Sequence, residues 1–154
     1  MNPYHLFEVM EATGVGTAIK QSIWLFPAIE AVHLLALATL GGALLVVDLR
    51  LLGVGLAAQS TATVERAARP WLIGAITMMI VTGVLIGLSE AVKLYDKQAF
   101  WVKMFALAAA LIFTFAVRGP VARSNPGSVG KAVAVVSLGL WLTVAIAGRW
   151  IGFS

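Results

Sequence analysis

Glu30 and His33 lie three residues apart inside the stretch IWLFPAIEAVHLLALATLGGALLVVDL, which runs from Ile23 to Leu49 and is otherwise almost wholly apolar. Residues three apart share a helix face, so both side chains can serve one site. The Glu-x-x-His spacing suits a di-iron bundle, but that site needs a second such pair and two further carboxylates on facing helices. The only other histidine is His5, outside the apolar segments, and a zinc site fails for the same lack of ligands. A haem asks for less: one axial histidine, with a methionine or an open position opposite. His33 is the candidate ligand, and Met79 on a later apolar segment reaches a similar depth. Gly83, one turn from Met79, leaves room for a flat ring, and Lys103 and Arg149 are placed to pair with propionates. The plainer alternatives stay open. Met79 can be packing, Gly83 and Gly87 a close helix contact, Lys103 and Arg149 interfacial cations, and His33 a hydrogen-bonding group facing another helix.

Composition says what must position these residues. Hydrophobic residues make up 60% of the 154 and charged residues 12%, about half the charged share of a soluble domain. Mean hydropathy is +0.95. This is the make-up of a membrane protein, with the lipid bilayer as its first partner. There are no cysteines, which excludes disulfides, thiolate metal sites and cysteine nucleophiles. The net charge of +4 fits loops facing anionic lipid, and no aromatic-interleaved basic patch points to nucleic acid. The start, MNPYHLFEVMEATG, lacks a basic leader and carries two glutamates, so the first apolar segment reads as a retained helix.

Four segments approach the roughly 20 apolar residues a span requires: 23–47, 71–88, 100–117 and 132–151. Trp24, Trp71, Trp101 and Trp150 sit at their ends, as interfacial aromatics do, while Trp141 falls inside the fourth. The links are short. AAQSTATVERAARP is expected to be a loop with Glu65 and Arg69 at pairing distance along a helix and Pro70 closing it. RGPVARSNPGSVGK carries the proline, glycine and asparagine of a true loop. Short links make antiparallel neighbours, hence an up-down bundle. Ahead of it, Asn2 and Pro3 can start a helix. Leu6, Phe7, Val9 and Met10 would give it a membrane-surface face, and Gly14 and Gly16 would end it.

Depth follows from the helical rise. Glu30 lies about 9–10 Å and His33 about 14–15 Å from the outer end of the first span. Glu90, Lys103 and Arg149 belong to the same outer half, whereas Asp48 and Arg50 mark the inner end as an interfacial charge girdle. One stripe runs through Glu30, His33, Leu37, Gly41, Leu44 and Asp48, and another through Glu90, Ile86, Gly83 and Met79. An ionisable group facing lipid costs several kcal/mol, so the first stripe is expected to face the bundle interior, with Lys103 or Arg149 keeping Glu30 ionised. Basic residues divide six to five between the two sides, with most arginines by the first and third links. The positive-inside rule then places both termini outside the cytoplasm.

On the residues Ser22-Ile-Trp-Leu-Phe-Pro27-Ala-Ile-Glu30-Ala-Val-His33 and Asp48-Leu-Arg-Leu-Leu-Gly53, the chain resembles a family of small, uncharacterised bacterial four-span membrane proteins. A looser likeness is to HemJ-type protoporphyrinogen oxidases and CopD-like copper-resistance proteins. It rests on His33 followed by Gly41-Gly42, and on Trp101-Val-Lys103 opening a later span. The HemJ likeness implies haem b bound through His33. The spacing at Lys103 departs from that pattern, and no further intramembrane histidine is present.

The expectation is an all-α integral membrane protein of the bacterial inner membrane. Residues 1–22 form an interfacial amphipathic segment and 23–154 an up-down four-helix bundle. The leading function is that of a b-type haem protein, carrying electrons or acting on a porphyrin- or quinone-like substrate, with a redox partner or quinone alongside. The site residues would be Glu30, His33, Met79, Gly83, Lys103 and Arg149. The alternatives are a cofactor-free proton or solute pathway through Glu30, a structural subunit, or a homo-oligomeric channel meeting at Gly83 and Gly87.

Overall fold

A computed structural model describes residues 3–124 and 127–153, and every described element is helical. The chain runs α1 (Pro3–Glu11), α2 (Gly14–Gln21), α3 (Leu25–Leu52), α4 (Thr61–Ser89), α5 (Ala91–Tyr95), α6 (Gln98–Arg123) and α7 (Gly127–Ile151). Helices α3, α4, α6 and α7 are each long and apolar enough to cross a membrane. The expected cap at Asn2 lies outside the described residues.

The long helices outrun the apolar runs that announced them. Most of the expected first loop is helix: α4 begins at Thr61, where the Ser60 hydroxyl accepts the Thr63 N–H at 3.1 Å. Pro70 sits inside α4 rather than closing a loop. At the other end of that loop, Gly53 terminates α3 with φ +83°, and its N–H is bonded to Arg50 O and Leu49 O. Helix α6 likewise continues through residues expected to be loop, and it does so through a π turn at Thr114–Arg118, where Gly119 N–H donates to Thr114 O.

α3 packs against α4 and α7, and α6 against α7. The ring closes where the last turn of α6, Gly119–Arg123, meets α4. The Gln98–Phe113 stretch makes almost no close backbone contact with α4. The bundle is therefore tight at the loop end, near residues 53–60 and Ser124, and looser at the terminus end. Leu40, Leu44, Leu72, Ile76, Trp141 and Val144 form an apolar core at mid-depth. Trp141 tolerates this depth because its indole N–H donates to Thr114 Oγ1 at 3.0 Å.

Gly14 and Gly16 do not end the N-terminal helix. Thr13 caps a second one, accepting the Gly16 N–H at 3.2 Å. Gly16 then lets α2 lie directly on the end of α4: a Cβ there would stand 2.6 Å from Leu88 O. Ile19 is buried by the contact. Glu11 pairs with Lys20, and its other oxygen accepts the Val92 N–H at 2.9 Å, at the first turn of α5. Tyr4 and Phe7 meet Tyr95 edge-on. The N-terminal segment is thus docked on the terminus end of the bundle.

Candidate functional site

His33 turns inward from α3 toward α4. Its Nδ1 lies 2.7 Å from Thr82 Oγ1, and Thr82 Oγ1 lies 2.7 Å from Met78 O. A carbonyl can only accept, so the threonine hydroxyl spends its proton on Met78 O. It must then accept from the imidazole. That fixes hydrogen on Nδ1 of His33 and leaves the Nε2 lone pair uncommitted whenever the ring is neutral. Gly83 packs against the ring, and a Cβ on it would stand 3.5 Å from His33 Cε1, an ordinary van der Waals contact. Gly83 thus faces the imidazole of its own chain, whereas Gly87 has nothing within 4 Å of its Cβ position.

Lys103, on α6, lies within electrostatic reach of His33. Its aliphatic stem and ammonium pass over Gly148 of α7, where a Cβ would be 3.5 Å from Cε and from Nζ. The half-buried lysine is therefore held on the same side of the bundle as the imidazole. The other expected members separate from this pair. Glu30 is exposed on the outside of α3, and among the described residues it forms no ion pair with Lys103 or Arg149. Arg149 is exposed too, and its guanidinium covers the Phe153 ring at 4.3 Å. Glu90 pairs with Lys93 at 3.2 Å. Met79 packs against the apolar core, about one turn deeper than Gly83.

The loop half holds a second polar group. Asp48 is fully buried rather than part of an interfacial girdle. Arg118 Nε donates to its Oδ1 at 2.5 Å and Ser137 Oγ to its Oδ2 at 2.8 Å. Arg118 Nη2 also reaches Leu44 O at 3.0 Å. Nearby, Glu65 ignores Arg69 and pairs with Arg123 at 3.0 Å. These bonds join α3, α4, α6 and α7. Sequence spacing could not reveal them, because each partner lies on a different helix and the π turn resets the register of Arg118 and Arg123. The apolar core separates this group from the His33 site.

Fold and site together define a multi-pass α-helical membrane protein with one oriented histidine in its terminus half. A family model described as a family of unknown function, DUF6644, matches residues 6–154, and the chain belongs to that family. No curated protein and no solved structure matches it.

Proposed function

We propose that the protein is a b-type haem protein in which Nε2 of His33 is the axial ligand. The observation that carries this reading is the hydrogen-bond chain His33–Thr82–Met78. A ligating histidine needs its other ring nitrogen held by an acceptor, which fixes the tautomer and the ring orientation. The donor set fits a singly ligated haem: His33 for the iron and Lys103 for a propionate. It does not fit a His–Met haem, because α3 and α4 touch at His33 and Gly83, leaving no width for a macrocycle between them, and Met79 lies on that same packed face. His33 from α3 and Lys103 from α6 would hold the group, at the end of the bundle where backbone contact between α6 and α4 is sparse. Bound there, haem supplies one-electron redox chemistry.

The dry core weighs against the rival reading of a transmembrane proton path. Leu40, Leu44, Leu72 and Ile76 stand between the His33 pair and the Asp48 network, and Glu30 faces away from both. Electron transfer to a quinone or a redox partner needs no polar relay through that layer. We place the loop side toward the cytoplasm of a bacterial inner membrane, on the arginines at the loop end. The test is the visible absorption of protein purified from haem-sufficient cells. A Soret band that His33→Ala removes is the expected result, and a colourless, fully expressed protein refutes the proposal.

A further inference from the structure

The membrane-facing side of the α3–α4 pair carries a continuous groove. One part, about 500 Å³, is lined by Gly42, Val46, Leu56, Gln59, Ala67 and neighbours, and a second, about 360 Å³, by Val32, Leu35, Gly74 and Met78 among others. The two share Thr39 and Trp71, so they form one trough. From Val32 to Val46 it follows α3 for about 21 Å at 1.5 Å per residue. That exceeds one leaflet, about half of a 30 Å hydrocarbon core. Away from Gln59 and Thr63 at the loop end, its walls are apolar in effect, since Thr39 Oγ1 is spent on Leu35 O at 2.9 Å.

Its loop end is different. Four residues beyond Val46, on the same face of α3, stands Arg50, whose Nε donates to Gln59 O at 2.6 Å. Arg66, on the flank of α4, binds Ala62 O. Neither arginine is in an ion pair among the described residues. Leu56, over this end, has φ +49°, a left-handed conformation that a non-glycine residue seldom adopts and that gathers at ligand clamps. An apolar trough of leaflet length, with Arg50 tied to its Gln59 wall and Arg66 in the first turns of α4 at the same end of the bundle, matches one chemistry in its charge and its shape.

We propose that this groove binds an acidic phospholipid, with an acyl chain along α3–α4 and the phosphate at Arg50 and Arg66. Each guanidinium can offer paired N–H donors to phosphate oxygens. The full chain, purified in detergent, is to be examined by native mass spectrometry with phosphatidylglycerol and phosphatidylcholine in competition. Preferential retention of phosphatidylglycerol is expected, falling about tenfold in Arg50→Gln/Arg66→Gln. Arg66→Gln alone, at an exposed site that holds no loop, should lose part of it. Gly42→Leu/Gly74→Leu adds bulk to the trough at two positions where nothing lies within 4 Å of the Cβ, and should release both lipids. Equal retention of the two lipids by the natural chain, or unchanged preference in Arg66→Gln and in the double arginine variant, overturns the proposal. So does a natural chain that runs as a dimer and becomes a lipid-free monomer in the groove-filling variant, which would make the trough a contact between copies.

Discussion

Arg118 Nε donates to Asp48 Oδ1 across 2.5 Å, and both side chains are almost completely buried. Seventy residues separate them in the chain. Between them they tie α6 to α3, and Ser137 adds α7 through the second carboxylate oxygen. A charge pair in this setting persists because each lone pair and each proton used has a partner, not because the attraction itself is large.

Removing one partner should therefore cost more than removing both. Arg118→Met is expected to destabilise the bundle by about 3–5 kcal/mol, because Asp48 is left charged and buried. The combined Asp48→Leu/Arg118→Met chain should recover most of that loss. Reversible unfolding in mixed micelles checks the order.

Sequence reading reached the four spans because apolar runs of that length have few other uses. It misread their ends: Glu65, Arg69 and Pro70 look like loop chemistry, yet they sit in helix because α4 is capped earlier, at Ser60. The inward turn of His33 was legible from the cost of exposing an imidazole to lipid. Thr82 as its acceptor was not, since a threonine inside an apolar run carries no local signal. The Asp48–Arg118 pair was hidden by the π turn, which no periodicity announces.

Thr82 should matter to His33 in a way a packing residue would not. Thr82→Val removes the acceptor while keeping the shape, and is expected to weaken haem binding by roughly 10–100-fold. Thr82→Ser should retain it. Titration of both variants with haem, at equal helicity, distinguishes the hydrogen bond from bulk.

The docking of the N-terminal helices should respond to acid. The Lys20 ammonium, and after it the Val92 N–H, hold the Glu11 carboxyl below the usual carboxylate range. A depressed value in the folded protein gives stability that is full at neutral pH. It is lost as pH falls from the ordinary value of about 4.3 through the lower folded one. Proteolysis of residues 3–21 with an acid-active protease should accelerate over that interval, and Glu11→Gln should flatten the dependence.

Gly16 should be intolerant of any side chain. A Cβ would stand 2.6 Å from Leu88 O and 2.9 Å from Glu11 O, both backbone atoms that cannot yield cheaply. Gly16→Ala is expected to loosen α2 from α4 and raise hydrogen exchange in α1, α2 and α5, while the four spans stay protected. Gly14→Ala, with nothing within 4 Å, serves as the control.

Haem titration of the purified protein, followed through the Soret region and compared with His33→Ala, tests the account most directly. Saturable binding of one haem per chain, lost in His33→Ala and kept in Met79→Leu, is what an axial Nε2 of His33 predicts. Non-saturating uptake, or identical titrations for the natural chain and His33→Ala, would contradict it.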